Sequence, residues 1–116
     1  MRIGSYISGS KGYTVLIDTD QKFGNSGADA DPNYITGSPG ISGNPGFELE
    51  VSLETNFQVA VYNIDGTTSP ILMSSYSIAT NSQISVAKST DSNNPDYFYD
   101  FYVPITALGL DRKSVV

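Results

Sequence analysis

Asp18-Thr19-Asp20 and Asp29-Ala30-Asp31 are two Asp-x-Asp pairs within one glycine-containing loop, and they hold the residues best suited to chemistry in this chain. Carboxylates crowded this closely repel one another unless a positive charge sits among them. A hard cation is satisfied by hard oxygen donors, and calcium takes about six to eight of them from Asp side chains, loop carbonyls and water without strict geometry. Asp18, Asp20, Asp29 and Asp31 are therefore the candidate ligands of one calcium ion. Their spacing differs from that of the helix-loop-helix calcium hand. Asp, Asn, Gly and Ser also build ordinary turns, so a solvated acidic turn is the competing reading.

Other routes to catalysis are narrow. The sequence contains no His and no Cys, which removes the usual triads, the thiolate nucleophile and thiolate metal sites. Glu48 and Glu50 share a strand face at roughly 7 Å, a separation a glycosidase could use, but glutamates alternating with apolar residues are the normal solvent side of a strand. Ser10-Lys11 stands between Gly9 and Gly12 and reads as a hairpin turn. No catalytic residue is assigned.

The elements that must carry the loop are strands. Residues 13–17 (Tyr-Thr-Val-Leu-Ile) run directly into Asp18. Residues 47–53 alternate strictly, with Phe47, Leu49, Val51 and Leu53 on one face and Glu48, Glu50 and Ser52 on the other, the period of a half-buried antiparallel strand. The strand at residues 57–62 follows too soon for a crossover, so the two form a hairpin. Asp65-Gly66 then marks a turn. Weaker strands are expected at 71–76 and 83–87, a polar turn at 90–95 and an aromatic strand at 97–103, with a single helical turn at 105–109 ended by its glycine. Phe47, Leu49, Val51, Val59, Val61 and Val103 are the expected core, with Glu48 and Glu50 exposed. In the aromatic strand one face must be core: the more continuous apolar set puts Tyr97, Tyr99 and Phe101 inward and Phe98 and Tyr102 outward or under a loop, with the opposite facing left open by the alternation. Residues 32–45, with Pro32, Pro39 and Pro45 among glycines, form a long irregular loop of a kind that is often functional.

At 116 residues the chain is one domain, and short strands divided by Gly, Pro, Asn and Asp turns predict an all-β antiparallel β-sandwich. Six Lys and Arg against twelve Asp and Glu give a net charge of −6, with the basic residues scattered, so nucleic acid and anionic membrane lack their electrostatic footprint. No run approaches the ~20 apolar residues of a membrane span, and no signal peptide is legible. Residues 1–7 open a strand with nothing before it, which suggests a fragment or module of a longer chain. An unpaired sheet edge there invites a second copy, giving a homodimer.

Three stretches together resemble a known group: residues 16–20 (Leu-Ile-Asp-Thr-Asp), residues 46–51 (Gly-Phe-Glu-Leu-Glu-Val), and residues 96–109, which close on Pro104-Ile-Thr-Ala-Leu-Gly109. The chain is similar over residues 2–110 to the family-9 carbohydrate-binding modules and their DOMON-like relatives. The resemblance implies an immunoglobulin-like or jelly-roll β-sandwich, calcium, and a place in secreted or cell-surface bacterial proteins. Two departures limit it. The family grips sugar with tryptophan and this chain has none, and haem of the DOMON kind needs His and Met, where only Met1 and Met73 are present. Tyrosine would then supply the stacking surface for a polysaccharide or glycan, with Tyr34 and Tyr102 the candidate ligand-binding residues. A calcium-stiffened structural or adhesive spacer with no small ligand is the alternative function.

Overall fold

The structure, a computed structural model, describes residues 2–3, 12–37, 43–54, 57–65, 69–87 and 95–110. Within them the chain runs β1 (Arg2–Ile3), β2 (Tyr13–Ile17), β3 (Leu49–Glu54), β4 (Gln58–Asn63), β5 (Ile71–Ser77), α1 (Ile78–Asn81), β6 (Ser82–Ala87), β7 (Asp96–Phe101) and a 3-10 turn at Ile105–Leu108. The fold is all-β, with two antiparallel sheets ordered β2-β3-β4-β5 and β1-β7-β6.

Alternation in β3 sets the register of the larger sheet. Leu53 faces Val59 and Val51 faces Val61 across the expected hairpin, while Ile17 of β2 stands opposite Leu49. Branched side chains thus gather on one face, where Leu49, Val51, Leu53, Val59 and Val61 are all buried. Tyr99 of β7 joins Val51, Leu53, Val59 and Val61 in one cluster, so the smaller sheet contributes to the same core. Its ring lies 6.4 Å from that of Tyr13, tilted by 58°. Burial of each such side chain stabilises by about 1.5–3 kcal/mol.

In β7, Tyr99 is buried and Tyr97 and Phe101 half-buried, while Phe98 is exposed and Tyr102, just after the strand, is exposed too. That matches the expected inward and outward sets. Gly109 adopts the left-handed conformation, φ 70°, and ends the 3-10 turn as its position predicts. The helical turn α1 has no periodic signal in the sequence. It links the two sheets, capped by Ser77, whose side chain accepts from Ala79 N at 3.2 Å.

Three expectations about burial need correction. Glu50, expected exposed, is buried, because β3 is flanked on both sides and places Leu16 and Tyr62 directly beside it. Glu48 is half-buried for reasons given below. Phe47, expected in the core, is only half-buried, since it falls outside the strands and packs edge-on against Phe23 at 5.4 Å, whereas Val103 is half-buried but packs against the core cluster. The expected turns at 9–11 and 90–94, and residues 4–7 of the first strand, lie outside the described residues, as does Gly66.

Candidate metal centre

Antiparallel pairing of β2 with β3 decides what meets the acidic loop. The pairing ends at Ile17 opposite Leu49, and Asp18 and Glu48 are the next residues beyond that pair on each side. Glu48 is held there by its backbone, donating to Ile17 O at 3.0 Å and accepting from Ile64 N at 3.0 Å. Its carboxylate turns to the loop, where Oε1 accepts from Thr19 N at 2.6 Å and Thr19 Oγ1 at 3.0 Å. Oε2 is sealed from solvent and has no hydrogen-bond partner among the described residues. Burial raises the Glu48 pKa; the hydrogen bonds from Thr19 oppose the rise, and the charges of Asp20 and Asp18 add to it.

Asp18, Asp20 and Glu48 each bring a carboxylate oxygen within 4.8 Å of the others. The loop coils tightly to allow this. Asp18 Oδ1 accepts from Asp20 N at 3.1 Å and Gln21 N at 2.8 Å, and Asp20 Oδ1 from Lys22 N at 2.9 Å. Gln21 takes φ 62°, a left-handed conformation rare for a residue with a Cβ.

Asp29 and Asp31 lie outside that trio. Asp29 is exposed and its carbonyl accepts from Phe23 N at 2.8 Å. Asp31 is buried and closes the return of the loop, with Oδ1 accepting from Asn33 N at 2.7 Å and its own N–H donating to Gly24 O at 2.9 Å. Of the expected four-Asp set, Asp18 and Asp20 fall in the trio found among the described residues, with Glu48 as its third member. Alternation alone places Glu48 on a solvent face, which hides it from the sequence pattern. The signal that finds it is the register of β2 against β3.

A second residue, Asn44, holds the loop's base. It is 3% exposed, and its side chain is fully engaged. Nδ2 donates to Phe47 O and Ile64 O, both at 2.7 Å, while Oδ1 accepts from Gly46 N at 2.9 Å and Phe47 N at 2.8 Å. Its backbone bridges Ile35 in both directions at 2.8 Å, which pins the ends of the long irregular loop. Gly46, at φ 134°, lies so close to the acidic loop that a Cβ there would stand 2.5 Å from Lys22 O.

The candidate ligand tyrosines sit elsewhere in the chain. Tyr34 is half-buried, its N–H donating to Asp31 O at 3.2 Å. Tyr102 is 61% exposed, with its hydroxyl donating to the carbonyl of Thr80 and its backbone exchanging hydrogen bonds with Asn81. On the far face of the larger sheet, Glu54 accepts from both Tyr62 OH and Gln58 Nε2, and Thr14 Oγ1 lies 3.4 Å from Glu50. Burial and the Glu54 hydrogen bond push the Tyr62 pKa up to about 12. Glu48 and Glu50 therefore serve different neighbours, Thr19 and Thr14.

No helix among the described residues is long and apolar enough to cross a membrane. The chain matches no family model, no curated protein and no solved structure.

Proposed function

We propose that the domain is a non-catalytic, calcium-stabilised β-sandwich module of a secreted or surface protein, in which the cation ties the acidic loop to the start of β3. The observation that carries this reading is the Glu48 carboxylate, which brings an oxygen within 4.8 Å of Asp18 and Asp20 and whose solvent-sealed Oε2 has no hydrogen-bond partner among the described residues. Leaving such an atom unpaired is costly, and two like charges nearby increase the cost; a divalent cation reverses both terms. The donor set suits calcium, since it is all oxygen, mounted on a loop that can add carbonyls and water. Melting in calcium and in EDTA tests it. Saturation at about 100 times the dissociation constant stabilises by ~2.7 kcal/mol, and Glu48→Gln combined with Asp18→Asn abolishes the difference. An unchanged wild-type melting curve would return the loop to an acidic turn.

Carbohydrate is the ligand class that the exposed aromatic surface favours. Tyr102 offers an open ring face while its hydroxyl is tethered to Thr80, so the ring is oriented before any sugar arrives. Tyrosine stacking with few buried atoms corresponds to weak binding, about 10 µM to 1 mM. Titration calorimetry against plant and algal polysaccharides should show heat that Tyr102→Ala and Tyr34→Ala remove with the fold intact. No heat with any glycan would leave the spacer function.

A further inference from the structure

Residues 66–87 contain no Asp, Glu, Lys or Arg, although the chain as a whole carries eighteen of them and a net charge of −6. This run builds β5, α1 and β6, which join the edge of one sheet to the edge of the other. Ile71, Leu72, Met73, Ile84 and Val86 lie along it, between 43% and 67% exposed. Among the described residues β5 pairs with β4 alone, which leaves its outer backbone edge available. Edge strands are ordinarily guarded by a charge or an internal proline. Here Pro70 stands just before β5, and the strand itself has neither, although its pairing with β4 shifts register between Leu72 and Ser74.

We propose that β5 pairs antiparallel with β5 of a second copy, joining two four-stranded sheets across a two-fold axis near Ser74. The charge distribution selects a copy of this chain as the occupant. A two-fold interface sets each patch against itself, so any acidic residue within it would be brought close to its own like charge. The stretch from β5 to β6 is where two chains of −6 can meet without that repulsion. Backbone hydrogen bonds supply register, and the exposed apolar side chains leave water. Because the remaining acidic surfaces repel at a distance, added salt strengthens the dimer, unlike one held by ion pairs.

Sedimentation velocity over a concentration series, at low and high salt, should show a dimer that tightens with salt. Leu72→Lys removes an apolar contact and puts a strongly hydrated charge on the pairing edge two residues from the axis, weakening association by about 10- to 100-fold with an unchanged circular dichroism spectrum. Ser74→Cys gives an independent reading even if the lysine variant misfolds. The chain has no cysteine of its own, so oxidation should yield a linked dimer from Ser74→Cys and none from Asp29→Cys on the exposed loop. A monomer at every concentration, a dimer unaffected by Leu72→Lys, or no link through Ser74→Cys would overturn the proposal.

Discussion

Asn44→Leu tests whether one buried amide holds the base of the acidic loop. The side chain makes four hydrogen bonds of 2.7–2.9 Å to backbone groups of Gly46, Phe47 and Ile64. Leucine has the same branched heavy-atom skeleton and no polar atom, so it leaves two N–H and two C=O groups without the partner that the 3% exposed asparagine gave them. A net value near 1 kcal/mol per bond sums to about 4 kcal/mol, a large share of the ~5–15 kcal/mol that stabilises a typical domain. For a domain of this size that is a fall in melting temperature of roughly 10–20 °C. Asn44→Asp, which keeps shape but replaces a donor with an acceptor and adds a negative charge when ionised, should be worse at neutral pH, because the new oxygen faces the carbonyls of Phe47 and Ile64. Urea unfolding followed by circular dichroism measures both. A loss below about 1 kcal/mol for Asn44→Leu would show that water or a backbone shift replaces the amide, and would refute the clasp.

Gly46→Ala should destabilise by roughly 1–3 kcal/mol, since φ 134° disfavours a Cβ and the added methyl meets Lys22 O at 2.5 Å; thermal melting of the variant checks it. In EDTA, stability should decline as pH rises from the ordinary carboxylate value of 4.5 through the raised folded value of Glu48, because the folded chain holds that proton more tightly than the unfolded one. Glu48→Gln should flatten that slope, and an unchanged slope would mean that Glu48 ionises without penalty. Tyr62, with its folded pKa near 12 against 10.0 unfolded, favours the native state below pH 10, and that contribution is lost as pH rises towards 12. Tyr62→Phe should lack this alkaline phase in pH-dependent unfolding, while retaining the rest of the curve.

Periodicity along the chain is enough to place the strands. Residues 13–17 and the alternation at 47–53 each report a local backbone preference and a face, so β2, β3 and the hairpin to β4 are legible in the order of residues alone, whereas the two aromatic faces of β7 are told apart only by packing. The glycine that ends the last turn is legible for the same local reason. Depth of burial is not, because it depends on what packs across a face. Glu50 alternates like a solvent residue and is buried by the strands on either side, while Phe47 alternates like a core residue and ends against Phe23 at the sheet's end.

Composition likewise marks an acidic loop but not its geometry. Asp18 and Asp20 neighbour each other in sequence, whereas Glu48 reaches them across 28 residues only through the pairing of β2 with β3. Asn44 reads as an ordinary turn residue in Gly43-Asn44-Pro45-Gly46, yet its amide meets Ile64, twenty residues away. Period and turn chemistry are short-range properties that a sequence carries directly. Which carboxylate loses its water, and which amide becomes a clasp, follows from strand register and packing, and those exist only once distant segments have met.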